Sequence, residues 1–252
     1  MHPNIVEFEV YGDYALFSDP IMRVGGEKCT YQVPTYEALK GILSSVYWKP
    51  TIVWIIDKVR VINPIQTEVK GIRPIKYTGG NDLSFYTYLK NCRYQVMAHF
   101  EWNENRPELI GDRNENKHHC IAKRMIEKGG RRDIFLGTRE CQGYVVPCKF
   151  GEGEGHYDNI QELAFGLMYH GITYADEAFS EETKNCMTAR FWYPKMQNGV
   201  INFLRPEKCP LYKKLRPMEM KIFSETDNNF IGLKEFGEVY LNGPVPKSAG
   251  NL

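Results

Sequence analysis

Lys117, His118 and His119 stand side by side near the middle of a 252-residue chain. Together they offer one fixed positive charge and two side chains that exchange protons near neutral pH. Residues 111–116 read as the approach to a helix, which puts the three in its first turn. A helix N-terminus carries unpaired N–H groups and the positive end of the dipole, so it favours anions. The same helix runs out at Gly129 and Gly130 and leads straight into Arg131 and Arg132. Lysine, histidine, helix start and arginine pair together suit a phosphodiester. Two readings of residues 129–132 stay open: a helix cap with dipole-compensating bases, or a loop that grips phosphate.

A helical wheel aligns His118 with Ile121, Ala122 and Met125, facing the protein body, with Lys117 and His119 on opposite flanks. His118 then reads either as a satisfied core histidine or as a group that projects with Lys117 into a cleft. Tyr47 closes an earlier helix, and an aromatic beside an apolar stripe is usually core, so pattern alone does not select it. The GEGEG run at 151–155 holds two acids and precedes no helix start, so it reads as a linker rather than a phosphate loop. The seven cysteines form no C-x-x-C pair and no zinc spacing, and no Walker motif, Ser-His-Asp set or carboxylate metal site is visible. No metal and no cofactor is expected.

Net charge is only +1, which excludes a polyanion binder that is basic throughout. Its distribution is uneven. Residues 113–149 carry a net +5, residues 58–76 a net +4, and residues 151–182 a net −8 with no lysine or arginine. A polyanion footprint is therefore expected on the first part alone, with Lys49, Arg60, Arg131 and Arg132 as RNA-contact candidates on charge and position. Duplex DNA is a further partner that basic grooves rarely exclude. The first ten residues alternate and carry acids, unlike a signal peptide, and the longest strongly apolar run, Ile52 to Ile56, is too short for a membrane. Reduced thiols and a cytoplasmic location follow as the simplest expectation.

The elements that must position these residues come from periodicity. Residues 4–11 alternate as a strand, with Glu7, Glu9 and Tyr11 on one face and Val6, Phe8 and Val10 on the other. Residues 20–34 read as loop, punctuated by Gly25 and Gly26. Thr35 starts a helix carrying Tyr36, Leu39, Leu43 and Val46, and Pro50 stops it. Residues 51–57 form a buried strand extending to about 62, residues 65–84 a long loop, residues 85–102 strand, and residues 140–150 another strand. The order is strand–helix–strand–strand–helix–strand, the ferredoxin-like, RRM-like βαββαβ pattern of an α+β fold, whose sheet keeps one face free. After residue 150 strands dominate, with Asn198 and Gly199 as a hairpin turn, which predicts a small antiparallel β-sheet domain. The expected domains are 1–150, 151–225 and a mobile tail, 226–252.

Several stretches resemble one known family: YGDYALF at 11–17, GGEK at 25–28, VPTYEALKG at 33–41, YWKPTIV at 47–53, GGRRDIFLG at 129–137, RECQGY at 139–144, and Cys209 with Pro210. The chain resembles the type I-C (Dvulg) CRISPR-associated endoribonucleases of the repeat-associated RNA-binding (RAMP) superfamily, over about residues 4–223. The resemblance implies a ferredoxin-like domain followed by a small β domain. It also implies metal-independent cutting of CRISPR precursor RNA at the base of the repeat stem-loop. The product's 5′ handle would then be retained, with the chain as a subunit of the interference complex. The family's catalytic tyrosine falls on Tyr47 and its lysine and histidine on Lys117 and His118; His119 stands where a relative has an aromatic residue. Without a metal, the expected chemistry is attack of the 2′-OH on phosphorus, leaving a 2′,3′-cyclic phosphate and a 5′-hydroxyl. The competing expectation is a non-catalytic guide-RNA scaffold.

Overall fold

Residues Val6–Ala15 form β1, and its alternation sends Val6, Phe8 and Val10 inward. In the computed structural model, which describes residues 4–20, 22 and 26–220, β1 lies inside a nine-stranded sheet. Gly25 and the expected tail at 226–252 lie outside the described residues. Thr35 caps α1 (Tyr36–Val46), its side chain accepting from the Ala38 N–H, as the sequence predicts. Next come β2 (Ile52–Val61), β3 (Thr67–Ile72) and β4 (Ser84–Trp102). α2 (Glu115–Glu127) follows, then β5 (Ile134–Phe135) and β6 (Gln142–Pro147).

The sheet runs β6-β1-β4-β2 through its centre, every neighbouring pair antiparallel. α1 and α2 supply Leu39, Leu43, Val46, Ala122 and Ile126 to the buried cluster that also holds Phe8, Val10, Trp54, Ile56, Val96 and Ala98. Burying each large apolar side chain contributes roughly 1.5–3 kcal/mol, which is what holds the two helices on the sheet.

The remaining strands are β7 (Leu163–Ala164), β8 (Met168–Thr173), β9 (Cys186–Trp192), β10 (Lys195–Gln197), β11 (Val200–Asn202) and β12 (Leu211–Pro217). They serve two sheets. β11, β10 and β7 continue the large sheet outward from β2, while β8, β9 and β12 form a three-stranded sheet. The architecture is mixed α/β with mostly antiparallel sheets. The turn at Asn198 and Gly199 takes positive φ at both residues (47° and 78°), the geometry that lets two residues connect β10 to β11. The described residues up to Glu219 form one compact unit.

Two expectations need correction. Residues 65–84 are not simply loop, because β3 pairs with the first third of β4. Its side chains alternate between exposed and half-buried, so no apolar face marked it in the sequence. The open face of the sheet is also not wholly free. The glycine-rich run crosses it: Gln95 donates to the Glu152 carbonyl, the Phe150 N–H to Glu7, and the Gly151 N–H to Gln95. No helix among the described residues is long and apolar enough to cross a membrane.

Candidate active site

Asn114 caps α2, its side-chain oxygen accepting from the Lys117 N–H at 3.0 Å. That cap fixes Lys117 and His118 in the first turn. At the other side of the site, α1 ends on Tyr47, whose backbone turns extended (φ −155°). The Tyr47 N–H donates to the Leu43 carbonyl, and its own carbonyl accepts from the Trp54 indole at 2.8 Å. Held on both sides, Tyr47 points its ring at α2.

The two elements meet at a hydrogen bond of 2.7 Å between Tyr47 Oη and His118 Nδ1. His118 Nε2 lies 2.8 Å from the Asp112 carbonyl. A carbonyl only accepts, so Nε2 carries the proton and Nδ1 of the neutral ring accepts from the phenol. Trp102 and Phe100 set their rings against the imidazole at 5.7 and 6.1 Å between centroids. His118 is fully buried and Tyr47 is only 3 % exposed. The core-histidine reading was right about burial, yet this histidine meets a phenol rather than only apolar walls.

Asp112 organises the rest. One carboxylate oxygen pairs with the Lys117 ammonium, and the other accepts from the Thr51 hydroxyl at 2.8 Å. The Lys117 hydrogen bond, helped by Thr51 and by the Lys117 charge, outweighs burial and holds the Asp112 carboxyl below its ordinary range. Burial pushes the Tyr47 phenol up, and the Asp112 charge adds to this while Arg131 opposes it. Lys117 itself is half exposed.

Not every predicted residue joins this cluster. His119 donates from Nε2 to the Ile5 carbonyl at 2.9 Å and ties α2 to β1, away from Tyr47. Lys49, Arg131 and Arg132 are exposed. Of the two readings of residues 129–132, the helix cap is the one formed here. The Gly129 and Gly130 N–H groups close α2 onto the Ile126 and Met125 carbonyls, a Schellman cap, and this delivers Arg131 close enough to act on Tyr47.

Arg60 must be reassigned. It is 5 % exposed, and its guanidinium binds Asp158 at 2.7 Å, Gln95, and the Glu152 and Gly153 carbonyls. It locks the glycine-rich run onto the sheet and presents no free surface to RNA. Asp112 and Thr51 were not singled out from sequence. Their only signal was Asp112's position, five residues before Lys117. Among the described residues no group of three or more His, Cys, Asp or Glu side chains could hold a metal ion.

A Tyr–His hydrogen bond beside a lysine, on two helices that back an antiparallel sheet, defines a site able to move a proton next to an anion. Comparison with known proteins gives the family. The Cas5d family model, described as "CRISPR-associated protein (Cas_Cas5)", matches residues 5–204. The chain belongs to this family. It is 46% identical over 231 residues to the protein of Mannheimia succiniciproducens named "CRISPR pre-crRNA endoribonuclease Cas5d", covering 79% of this chain and 94% of that relative. A protein of the same name from Thermus thermophilus is 26% identical over 152 residues, covering 56% of this chain and 63% of that relative. A solved structure described as "Crystal Structure of CRISPR-associated Protein" matches with a TM-score of 0.70 at 35% identity, covering 83% of this chain and 96% of the other.

Proposed function

We propose that the chain is a metal-independent endoribonuclease that cuts CRISPR precursor RNA within the repeat, at the base of its stem-loop. It then keeps the 5′ handle of the guide as a subunit of a cytoplasmic interference complex. Membership of the Cas5d family and the name carried by its relatives support the activity and the RNA partner. The strand order β6-β1-β4-β2, with α1 and α2 as crossovers, supports reading residues 1–150 as ferredoxin-like. The observation that carries the site assignment is the 2.7 Å bond between Tyr47 and His118, with Lys117 beside them on Asp112.

Roles follow from protonation. Burial and Asp112 keep the Tyr47 phenol protonated, so Tyr47 is not the base. His118 Nδ1 is the proton acceptor, and Tyr47, already bonded to it, orients the 2′-hydroxyl and hands its proton on. As the 2′-oxygen bonds to phosphorus and the bond to the 5′-oxygen breaks, Lys117 moves from Asp112 to the developing phosphorane charge. The leaving 5′-oxygen takes a proton from solvent and His118 returns to solvent the proton it accepted, giving a 2′,3′-cyclic phosphate and a 5′-hydroxyl. Arg131, Arg132 and Lys49 hold the flanking phosphates.

One observation favours the scaffold alternative. His118 is fully buried, with both ring nitrogens already bonded. Cleavage of a stem-loop repeat RNA in EDTA separates the two. Wild type should cut at one site, and His118→Ala should cut roughly 10²–10⁴-fold more slowly. Lys117→Ala should lose roughly 10²–10³-fold, and His119→Ala should cut like wild type. Tight binding by wild type with no cutting would leave the scaffold.

A further inference from the structure

Tyr11 on β1 and Tyr144 on β6 are direct cross-strand neighbours, with ring centroids 5.6 Å apart and planes tilted by 32°. Both point away from the helices, because Val10 and Val145 beside them are buried. They are 37 % and 52 % exposed, and Val146 next to them is 36 % exposed. On the other side of Tyr11, in register on β4, stands Arg93. Its Nε donates to Glu9 at 2.8 Å, and half of its side chain remains exposed. The row Arg93–Tyr11–Tyr144 therefore lies across three adjacent strands of the open sheet face, beyond the part that the glycine-rich run covers.

A cavity of about 410 Å³ opens beside this row, lined among others by Tyr11, Asp13, Asn63, Asn91 and Arg93. Asn91 sits in the left-handed region (φ 51°), and its carbonyl accepts from the Asn63 amide at 2.8 Å. Aromatic faces, a guanidinium plane and side-chain amides at a sheet surface are the means by which unpaired RNA bases are stacked and read. An exposed cross-strand tyrosine pair could also serve sheet stability alone. Arg93 and the adjoining polar cavity go beyond that role. The carboxylates of Glu9 and Asp13 both line the cavity and disfavour phosphate over it, so the bases rather than the backbone face it.

We propose that Arg93, Tyr11 and Tyr144 form a stacking surface for unpaired nucleotides of the bound RNA, separate from the cutting site at Tyr47 and His118. This rests on the reading of the chain as an RNA-processing protein. The test is binding of a fluorescein-labelled single-stranded oligouridylate, run beside single-turnover cleavage of the stem-loop repeat. The Tyr11→Ala/Tyr144→Ala double variant should bind the oligonucleotide roughly tenfold or more weakly. The Tyr11→Phe/Tyr144→Phe variant should match wild type, because stacking needs the ring and not the hydroxyl. Repeat RNA that is cut should keep the same cut site in both, because Tyr47, Lys117 and His118 are untouched. Unchanged affinity in the alanine variant, or equal loss in the phenylalanine variant, overturns the proposal. Ultraviolet crosslinking of 4-thiouridine RNA to wild type is independent of how the variants fold. Crosslinks at Tyr11 or Tyr144 support the surface, and crosslinks only elsewhere overturn it. Wild type that neither binds nor cuts repeat RNA would instead sink the endoribonuclease reading.

Discussion

Two buried histidines in this molecule share almost everything. His118 and His170 are each fully buried, each packed against aromatic rings, and each bonded through Nε2 to a backbone carbonyl, of Asp112 and of Leu204. They differ at Nδ1. His118 meets the Tyr47 phenol, a neutral partner that can pass a proton. His170 meets the Arg190 guanidinium at 3.4 Å, which cannot. Burial, followed by the Arg190 charge, pushes His170 down to about 3. Arg190 in turn binds Thr173 and faces Glu37 of α1 at 3.6 Å, so this cluster joins α1 to the three-stranded sheet. Burial and bond count do not separate the histidine proposed to work from the structural one; the partner at the second nitrogen is where they differ.

The largest test of that contrast removes the two histidines in turn. His118→Ala should lose cleavage while melting within a few degrees of wild type. His170→Ala should melt lower, because it empties a fully buried site among Tyr36, Trp192 and Phe203 and takes one acceptor from Arg190, while the folded fraction cuts within about threefold of wild type. Single-turnover rates and thermal unfolding read both. Folded His170→Ala without cleavage would erase the distinction.

A second test compares arginines. Arg60→Ala should cost about 3–5 kcal/mol in denaturant unfolding, because Asp158 and two carbonyls lose their donor. Arg131→Ala and Arg132→Ala should shift stability by no more than about 0.5 kcal/mol. Each should instead flatten the salt dependence of RNA binding by about one phosphate contact. A stable Arg60→Ala with weakened RNA binding would restore Arg60 as a contact.

The smallest effect is in pH. The unfolded chain protonates His170 below roughly pH 6.5, whereas the fold holds it neutral down to about 3. Its contribution to stability is therefore complete above about 6.5 and is lost as pH falls toward 3, by at most about 1.4 kcal/mol per unit. Glu37, raised chiefly by burial, works in the opposite sense, since the folded state takes up its proton first. Lys40 and Arg190 both face the pair. Denaturant midpoints between pH 7.5 and 5.5 should fall in wild type and fall less in His170→Gln. Parallel slopes would show that another group carries the dependence.

Local signals were legible in the sequence and distant ones were not. The Thr35 cap, the 198–199 turn and the inward face of α2 follow from a few neighbouring residues. Tyr47 could be selected only through the family resemblance, because its partner lies 71 residues away. Arg60 counted as a free cation in a basic segment until Asp158, 98 residues on, closed over it. The face carrying Glu9 and Tyr11 was visible in the alternation of β1. That Tyr144 lands beside Tyr11 depends on strand pairing, which periodicity within a segment does not encode.

The cap at Gly129 and Gly130 has a consequence for binding. Their φ angles, 81° and 110°, lie where side-chain-bearing residues are strained, and a Cβ on Gly130 would stand 3.1 Å from the Arg132 carbonyl. The two glycines act as a rigid elbow rather than a flexible joint. The backbone entropy of that segment is lost once, when the chain folds, and not again each time a ligand arrives. For the phosphate contact proposed for Arg131 the backbone is already preorganised, so more of the attraction would be available as affinity.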